Sequence, residues 1–300
     1  MDERERNLQH SLLLLLAAVI WGFAFVAQRA GMRHIGPFTF NGIRFLLGSL
    51  SLLPVLLLVR RRKRGPGDST RPASSSTRLR LALLGLVLFG AAALQQMGLV
   101  YTTAGKAGFI TGLYVVIVPL LGLSLGQRAR WTVWAGAAAG VGGLYLLTGL
   151  EAGRIGLGDG LVLAGAFGWA IHVQLVGWLV RRADPIRIAV VQTAICGALS
   201  LAVGWATESA SLADVRAAVP TLVFAGILSV GVAYTLQIVG QRRVDPSRAG
   251  IIVSLEAVFA AVGGWVVLGE GGTFVMWIGG GLMLAGMVLA QIGGWRARAA

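Results

Sequence analysis

LQQMGLVYTTAGKAGFITGLYVVIVP, residues 94–119, reads as the end of one apolar helix, a tight turn and the start of the next. Gln95 and Gln96 sit inside the first helix, where a lipid-facing surface does not favour amides. Thr103 suits the N-cap of the second helix, because its hydroxyl accepts from an orphan backbone N–H. A related stretch, QIVGQRRVDPSRAGIIVSLEAV, returns 142 positions later. Gln95 maps to Gln237, Gly98 to Gly240, Thr103 to Asp245 and Lys106 to Arg248. Ala107-Gly108 maps to Ala249-Gly250, Ile110 to Ile252, Leu113 to Leu255 and Val116 to Val258. The capping position stays a capping position, since Asp245 precedes Pro246 and proline favours the first helical position. The chain therefore reads as a duplication.

The composition excludes a soluble domain. Of 300 residues, 56% are hydrophobic and 13% charged, and the mean hydropathy is +0.77. Such a sequence has too little polar surface for water. Runs of about 20 apolar residues, each able to cross ~30 Å of hydrocarbon, recur along it. The net charge of +14 raises nucleic acid as a partner. The basic residues cluster in alternate loops, however, which is the topogenic pattern of a membrane protein. Cys196 is the only cysteine, so no intramolecular disulfide forms. Arg4 and Arg6 before an apolar run resemble a signal peptide. The acidic residues among them and the lack of an A-x-A site point instead to a retained first helix.

Ten spans follow from the apolar runs, at 11–28, 38–59, 79–101, 104–125, 131–148, 160–180, 185–206, 220–241, 246–268 and 272–293. A polar loop at 60–77 is expected to be disordered, and a glycine-rich turn at 153–160 joins the halves. Trp21 matches Trp169 and Pro37 matches Pro185 at an offset of 148. Gly126-Gln127 matches Gly269-Glu270, and Trp134-x-Gly136 matches Trp277-x-Gly279. The repeat unit is five helices, residues 1–150 and 151–300. Five is odd, so the second half enters the membrane from the opposite side. The expected fold is all-α, a polytopic membrane protein of ten transmembrane helices in two inverted five-helix repeats. With the N-terminus in the cytoplasm, 20 basic residues fall on inside segments and five on outside ones. This bias predicts that both termini are cytoplasmic.

Charged groups in mid-membrane cost ~2.5–3.5 kcal/mol on insertion scales, so each needs a reason. Arg44 in helix 2 and Glu256 in helix 9 are the clearest, with Asn41 three residues before Arg44 on the same face. Either Arg44 pairs with Glu256 or an amide to lock helices, or it attracts an anionic group of a solute. Glu256 is the candidate for proton coupling, a role to which an apolar setting suits a carboxyl. Gln95, Gln96, Gln192 and Gln237 either glue helices or line a wet cavity. Arg44 and Gln192 occupy equivalent positions, again 148 apart. Trp21, Trp169, Tyr114 and Tyr234 lie deep in spans rather than in interfacial belts. They read as core packing or as walls of a pocket for an organic solute. His172 is a core residue or a proton carrier. Small-residue stripes in helices 5 and 10 (Gly136, Gly140, Gly143; Gly279, Gly280, Gly281) read as packing surfaces, for which a homodimer is one use. Pro54 and Pro119, inside spans, should kink them or mark gates.

Enzyme motifs are weak. Gly122-Leu-Ser124-Leu-Gly126 fits G-x-S-x-G, but at the end of an apolar helix rather than on a strand–turn–helix elbow. Gly156-Leu-Gly158-Asp-Gly160 reads as a loop, and neither a Walker A nor an H-E-x-x-H sequence is present. No metal, cofactor or catalytic residue is expected. An intramembrane hydrolase would need Ser124 and His172 to meet, and a non-transporting scaffold would lack a cavity between the halves.

On the duplicated unit, Trp21-Gly22, Pro37, Arg44-Phe45, Ala107-Gly108, Leu268-Gly269-Glu270 and Trp277-x-Gly279, the chain resembles the EamA-like branch of the drug/metabolite transporter superfamily over nearly its whole length. Two positions depart from the pattern. Glu256 is followed by Ala257 where the family often has proline, which removes a proline kink from helix 9. The first half ends Gly126-Gln127, without the usual glutamate. The resemblance implies an inner-membrane carrier that works by alternating access. Helices 1–4 and 6–9 would line a central cavity, with helices 5 and 10 peripheral. Members move amino acids, metabolites or drugs, often outward, so a small-molecule substrate is the expected partner besides the bilayer.

Overall fold

The computed structural model describes residues 3–63, 75–147, 156–269 and 274–296. The described residues form ten rods without a strand. These are α1 (Glu3–Gly31), α2 (Pro37–Lys63), α3 (Ser75–Tyr101), α4 (Ala104–Ser124), α5 (Trp131–Leu147), α6 (Leu157–Leu179), α7 (Pro185–Thr207), α8 (Leu212–Gly240), α9 (Pro246–Val267) and α10 (Phe274–Arg296). Most of the polar loop lies outside the described residues, as do residues 153–155 of the junction between the halves and Glu270.

α1, α3, α6 and α8 start earlier than the apolar runs suggest. α8 begins at Leu212 rather than at Pro220, because Ser211 and Asp214 form a capping box about two turns outside the apolar run. Pro220 thus lies inside the helix, where it cannot donate to the preceding turn. Four residues on, the chain adopts a π-helix over Phe224–Ala233. α6 begins at Leu157, so Asp159 is not in a loop. It sits in the first turn and accepts from Gly156 N at 2.9 Å.

The duplicated stretch folds as its caps dictate. Thr103 Oγ1 accepts from Lys106 N at 3.1 Å, and Asp245 Oδ1 accepts from Arg248 N at 3.0 Å. Both helices are then interrupted at matching places, α4 at Leu113 and α9 at Ser254-Leu255. Tighter i→i−3 bonds replace the α pattern there, such as Leu113 N→Ile110 O at 3.2 Å and Leu255 N→Ile252 O at 3.2 Å. The interruption in α9 thus forms without a proline after Glu256. Each rod then ends near a left-handed glycine, Gly126 at φ 75° and Gly269 at φ 70°.

The packing repeats as well. α2 lies on α7 and α5 on α10, while α1 packs on α8 and α9 just as α6 packs on α3 and α4. Exchanging the two sets of five helices reproduces the same pairs. Several glycines of α5 and α10 pack within the chain, whereas Gly281 has open space around it. A Cβ on Gly136 would sit 2.7 Å from the Gly286 carbonyl, and one on Gly143 would sit 2.5 Å from that of Gly279. Close backbone approach of this kind gains dispersion contacts that lipid does not offer. The links α4–α5, α6–α7 and α8–α9 gather with the start of α1 at one end, here the terminal end. The α1–α2, α3–α4 and α7–α8 links gather at the far end.

Candidate functional site: a central chamber between the halves

α1 turns one face inward by placing Trp21, Phe25 and Gln28 at i, i+4 and i+7. Trp169 and Val173 do the same for α6. Between these faces lies a narrow chamber of about 40 Å³. Its walls come from α1–α4, α6, α8 and α9, and so from both halves. Each indole is anchored by the opposite half. Trp21 Nε1 donates to Ser229 O on α8 at 3.0 Å, and Trp169 Nε1 donates to Gln95 Oε1 on α3 at 2.6 Å. Tyr234 closes the aromatic set, edge-on to Trp21 at 4.9 Å and tilted to Trp169 at 6.3 Å. Such contacts hold the rings in fixed orientation.

Two charged side chains reach this space from different helices. Arg44 Nε donates to Asn41 Oδ1 at 2.9 Å, and Asn41 Nδ2 donates to Ala92 O on α3 at 3.1 Å. The guanidinium also lies 4.7 Å from the Phe45 ring centre. No carboxylate is within ion-pair distance of Arg44 among the described residues, so the Arg44–Glu256 lock does not form, and the amide that Arg44 bonds, Asn41, is on its own helix. Glu256 Oε1 instead accepts from Tyr114 Oη at 3.1 Å. Tyr114 and Glu256 are themselves 142 positions apart. The matching positions of α4 and α9 therefore meet at the centre.

Of the sequence candidates, Trp21, Arg44, Gln95, Tyr114, Trp169, Tyr234, Gln237 and Glu256 line the chamber. Asn41 stands behind Arg44 and aims it. His172 and Gln192 bind each other at 2.8 Å, fully buried behind Trp169 and Tyr234. Gln96 is fully buried outside the lining. Phe25, Gln28, Val173, Ser229 and Val253 also line the chamber and were not singled out. The i+4 and i+7 spacing from Trp21 marks Phe25 and Gln28 in the sequence. Ser229 contributes a backbone carbonyl, for which a side chain gives no cue. Gln28 Oε1 and Gln237 Oε1 face the chamber without a partner among the described residues, where buried polar atoms otherwise pair.

Ser124 Oγ donates to Leu121 O at 2.8 Å at the exposed end of α4, far from the buried His172–Gln192 pair in bonding terms. No nucleophile–base bond joins Ser124 and His172. The described residues contain no group of three His, Cys, Asp or Glu placed to hold a metal.

The sequence profile of the EamA-like transporter family matches residues 9–149 and again residues 156–291. The chain belongs to the EamA-like transporter family. Relatives in the family extend over the whole chain. An "Uncharacterized transporter" of Archaeoglobus fulgidus is 28% identical, covering 97% of this chain and 88% of its own. The "Uncharacterized inner membrane transporter YedA" of Escherichia coli is 28% identical, covering 92% and 88%. The "Uncharacterized transporter YoaV" of Bacillus subtilis is 23% identical, covering 92% and 94%. A solved crystal structure superposes with a TM-score of 0.74 over 96% of this chain and 98% of its own, at 20% identity, and shares the fold. Like other EamA-like proteins, this chain is a multi-pass membrane protein. Among the described residues eight helices are long and apolar enough to span a bilayer, and a shorter apolar stretch, Trp277–Ala290, lies in α10.

Proposed function

We propose that this EamA-like protein is a secondary transporter that exports a small organic solute across the cytoplasmic membrane by alternating access. The observation that carries the reading is the convergence of Arg44, Glu256, three amides and five aromatics on one chamber walled by both halves. Residues 1–150 and 151–300 act as two inverted repeats that rock about it. The arginine bias puts the terminal end, and with it both termini, in the cytoplasm. In this conformation the chamber holds a few waters rather than an organic solute, which needs roughly 300 Å³ or more. Solute passage therefore requires the halves to separate.

Arg44, held at one nitrogen by Asn41, keeps its remaining donors for an anionic group of the solute. The aromatic walls enclose its apolar body. Glu256 carries the coupling proton, and Tyr114 holds that carboxyl in place. A metabolite-excretion and toxicity screen on an overexpressing strain tests the reading. Overexpression should raise excretion of, or resistance to, at least one organic solute, and Arg44→Ala should remove most of the effect. Equal phenotypes for wild type and Arg44→Ala contradict the role of Arg44. In vesicles loaded with the solute so found, Glu256→Gln should abolish the pH dependence of transport.

A further inference from the structure

A second cavity, about 750 Å³, opens at the terminal end. Its wall carries Arg128 and Arg130 from the α4–α5 link, Arg181 and Arg182 from the α6–α7 link, and Arg248 from the start of α9. Among the described residues Asp245 is the one acidic residue in that wall, and it is already occupied by Arg248 and the α9 N-cap. No acid pairs with Arg128, Arg130 or Arg181 among the described residues. Arg182 is held to Trp178, over its ring at 4.2 Å and to its carbonyl at 2.9 Å. Positive-inside arginines ordinarily stand in separate loops, solvated on all sides. Here arginines from three separate segments line one concave space, where low-dielectric walls focus the field.

The floor of this space is neutral. Gln127 Nε2 donates to Gln174 Oε1 at 2.8 Å, and Gln174 Nε2 donates to Val118 O at 2.8 Å. Gln174 follows Val173, which lines the central chamber, so adjacent residues of α6 face the two cavities. Gln127 is a neutral amide where its counterpart in the second half, Glu270, is a carboxylate. A carboxylate there could not donate to Gln174 and would neutralise a neighbouring arginine. The amide keeps both the floor bond and the uncompensated charge.

We propose that the cavity is an anion-collecting vestibule for the transported solute, separated from the chamber by the Gln127–Gln174–Val118 bonds, and that the solute is a small organic anion with a carboxylate or phosphate group. The link to transport rests on the function proposed above. The charge selectivity does not, and is measured without knowing the solute.

Cys196 is buried and serves as an internal control for folding, because it stays unlabelled in an intact protein. Ala129→Cys places a thiol in the vestibule wall, and Ser209→Cys places one on the exposed far-end link. Each purified variant is treated with a sulfonate-bearing and a trimethylammonium-bearing methanethiosulfonate. The anionic-to-cationic rate ratio should be about tenfold or more higher at Ala129→Cys than at Ser209→Cys, in line with focusing in a charged cleft. Adding R128Q, R130Q and R181Q together should collapse the ratio to the Ser209→Cys value, with Cys196 still unlabelled. Equal ratios at both sites, or a ratio that survives the triple substitution, overturn the proposal. The measurement is repeated in nanodiscs with and without phosphatidylglycerol. The ratio should be the same in both. Protection of Ala129→Cys by the anionic lipid would make the cavity a headgroup site and overturn the assignment to a solute.

Discussion

At the far end of the bundle, two carboxylates from the second half reach into the first. Asp159 accepts from Lys106 Nζ at 2.7 Å and from Thr102 Oγ1 at 2.9 Å, while Arg29 is tied to the Thr102 carbonyl. Glu208 accepts from the backbone of Phe38 and Thr39, both at 2.8 Å, and so caps α2 from the end of α7. At the terminal end the two acids at the matching helix starts act as N-caps. Asp184 caps α7 and Asp245 caps α9, where it also holds Arg248. Lys106 and Arg248 are the same position in the two copies, yet one crosses to the other half and the other folds back. A duplicated backbone has thus been closed by charge at one end and left open as a vestibule at the other. Charge-assisted hydrogen bonds are roughly twice as strong as neutral ones. The far end is therefore the firmer seam, and the neutral glutamine bonds of the terminal end are the weaker one.

The strongest way to break this difference is Asp159→Ala, which strands Lys106 and Thr102. Because Lys106 is partly exposed, its share is modest, and the loss should be about 2 kcal/mol, chiefly from the buried hydrogen bonds. A thermal-shift assay in detergent reads it. Gly126→Ala and Gly269→Ala sharpen the comparison from the other side. Both glycines hold positive φ with open space around them, so each should cost about 1–2 kcal/mol, and nearly the same amount. Unequal losses would show that the two copies have parted in backbone as well as in side chains. Glu208→Gln keeps an acceptor but drops the charge, and about 1 kcal/mol should be lost at the far end. Asp245→Asn should do least, about 0.3 kcal/mol, because it retains the cap and loses only a local pair.

The duplication was readable because caps, terminal glycines and the buried tryptophans are local features that recur at a fixed offset. Thr103 and Asp245 cap as their residue types require, and Trp21 and Trp169 take matching places. Offsets say less about where a side chain ends. Arg44 and Gln192 are equivalent, but Arg44 is long enough to reach the chamber, while Gln192 Oε1 is bonded to His172 behind its wall. Pro220 was misleading because proline suits a first turn, and the true start was set by Ser211 and Asp214 beyond the apolar run. The far-end seam was not legible at all. Asp159 and Glu208 read as loop or helix-end acids until packing brings Lys106 and the start of α2 against them.

Cysteine accessibility in sealed, right-side-out vesicles tests the closed far end most directly. Phe25→Cys lies in the chamber, and an impermeant anionic thiol reagent reaches it from outside only if that end opens. The account predicts slow labelling, accelerated about fivefold or more when Asp159→Asn is added, as expected for the loss of about 1 kcal/mol of seam. Fast labelling of Phe25→Cys alone, unchanged by Asp159→Asn, would contradict it.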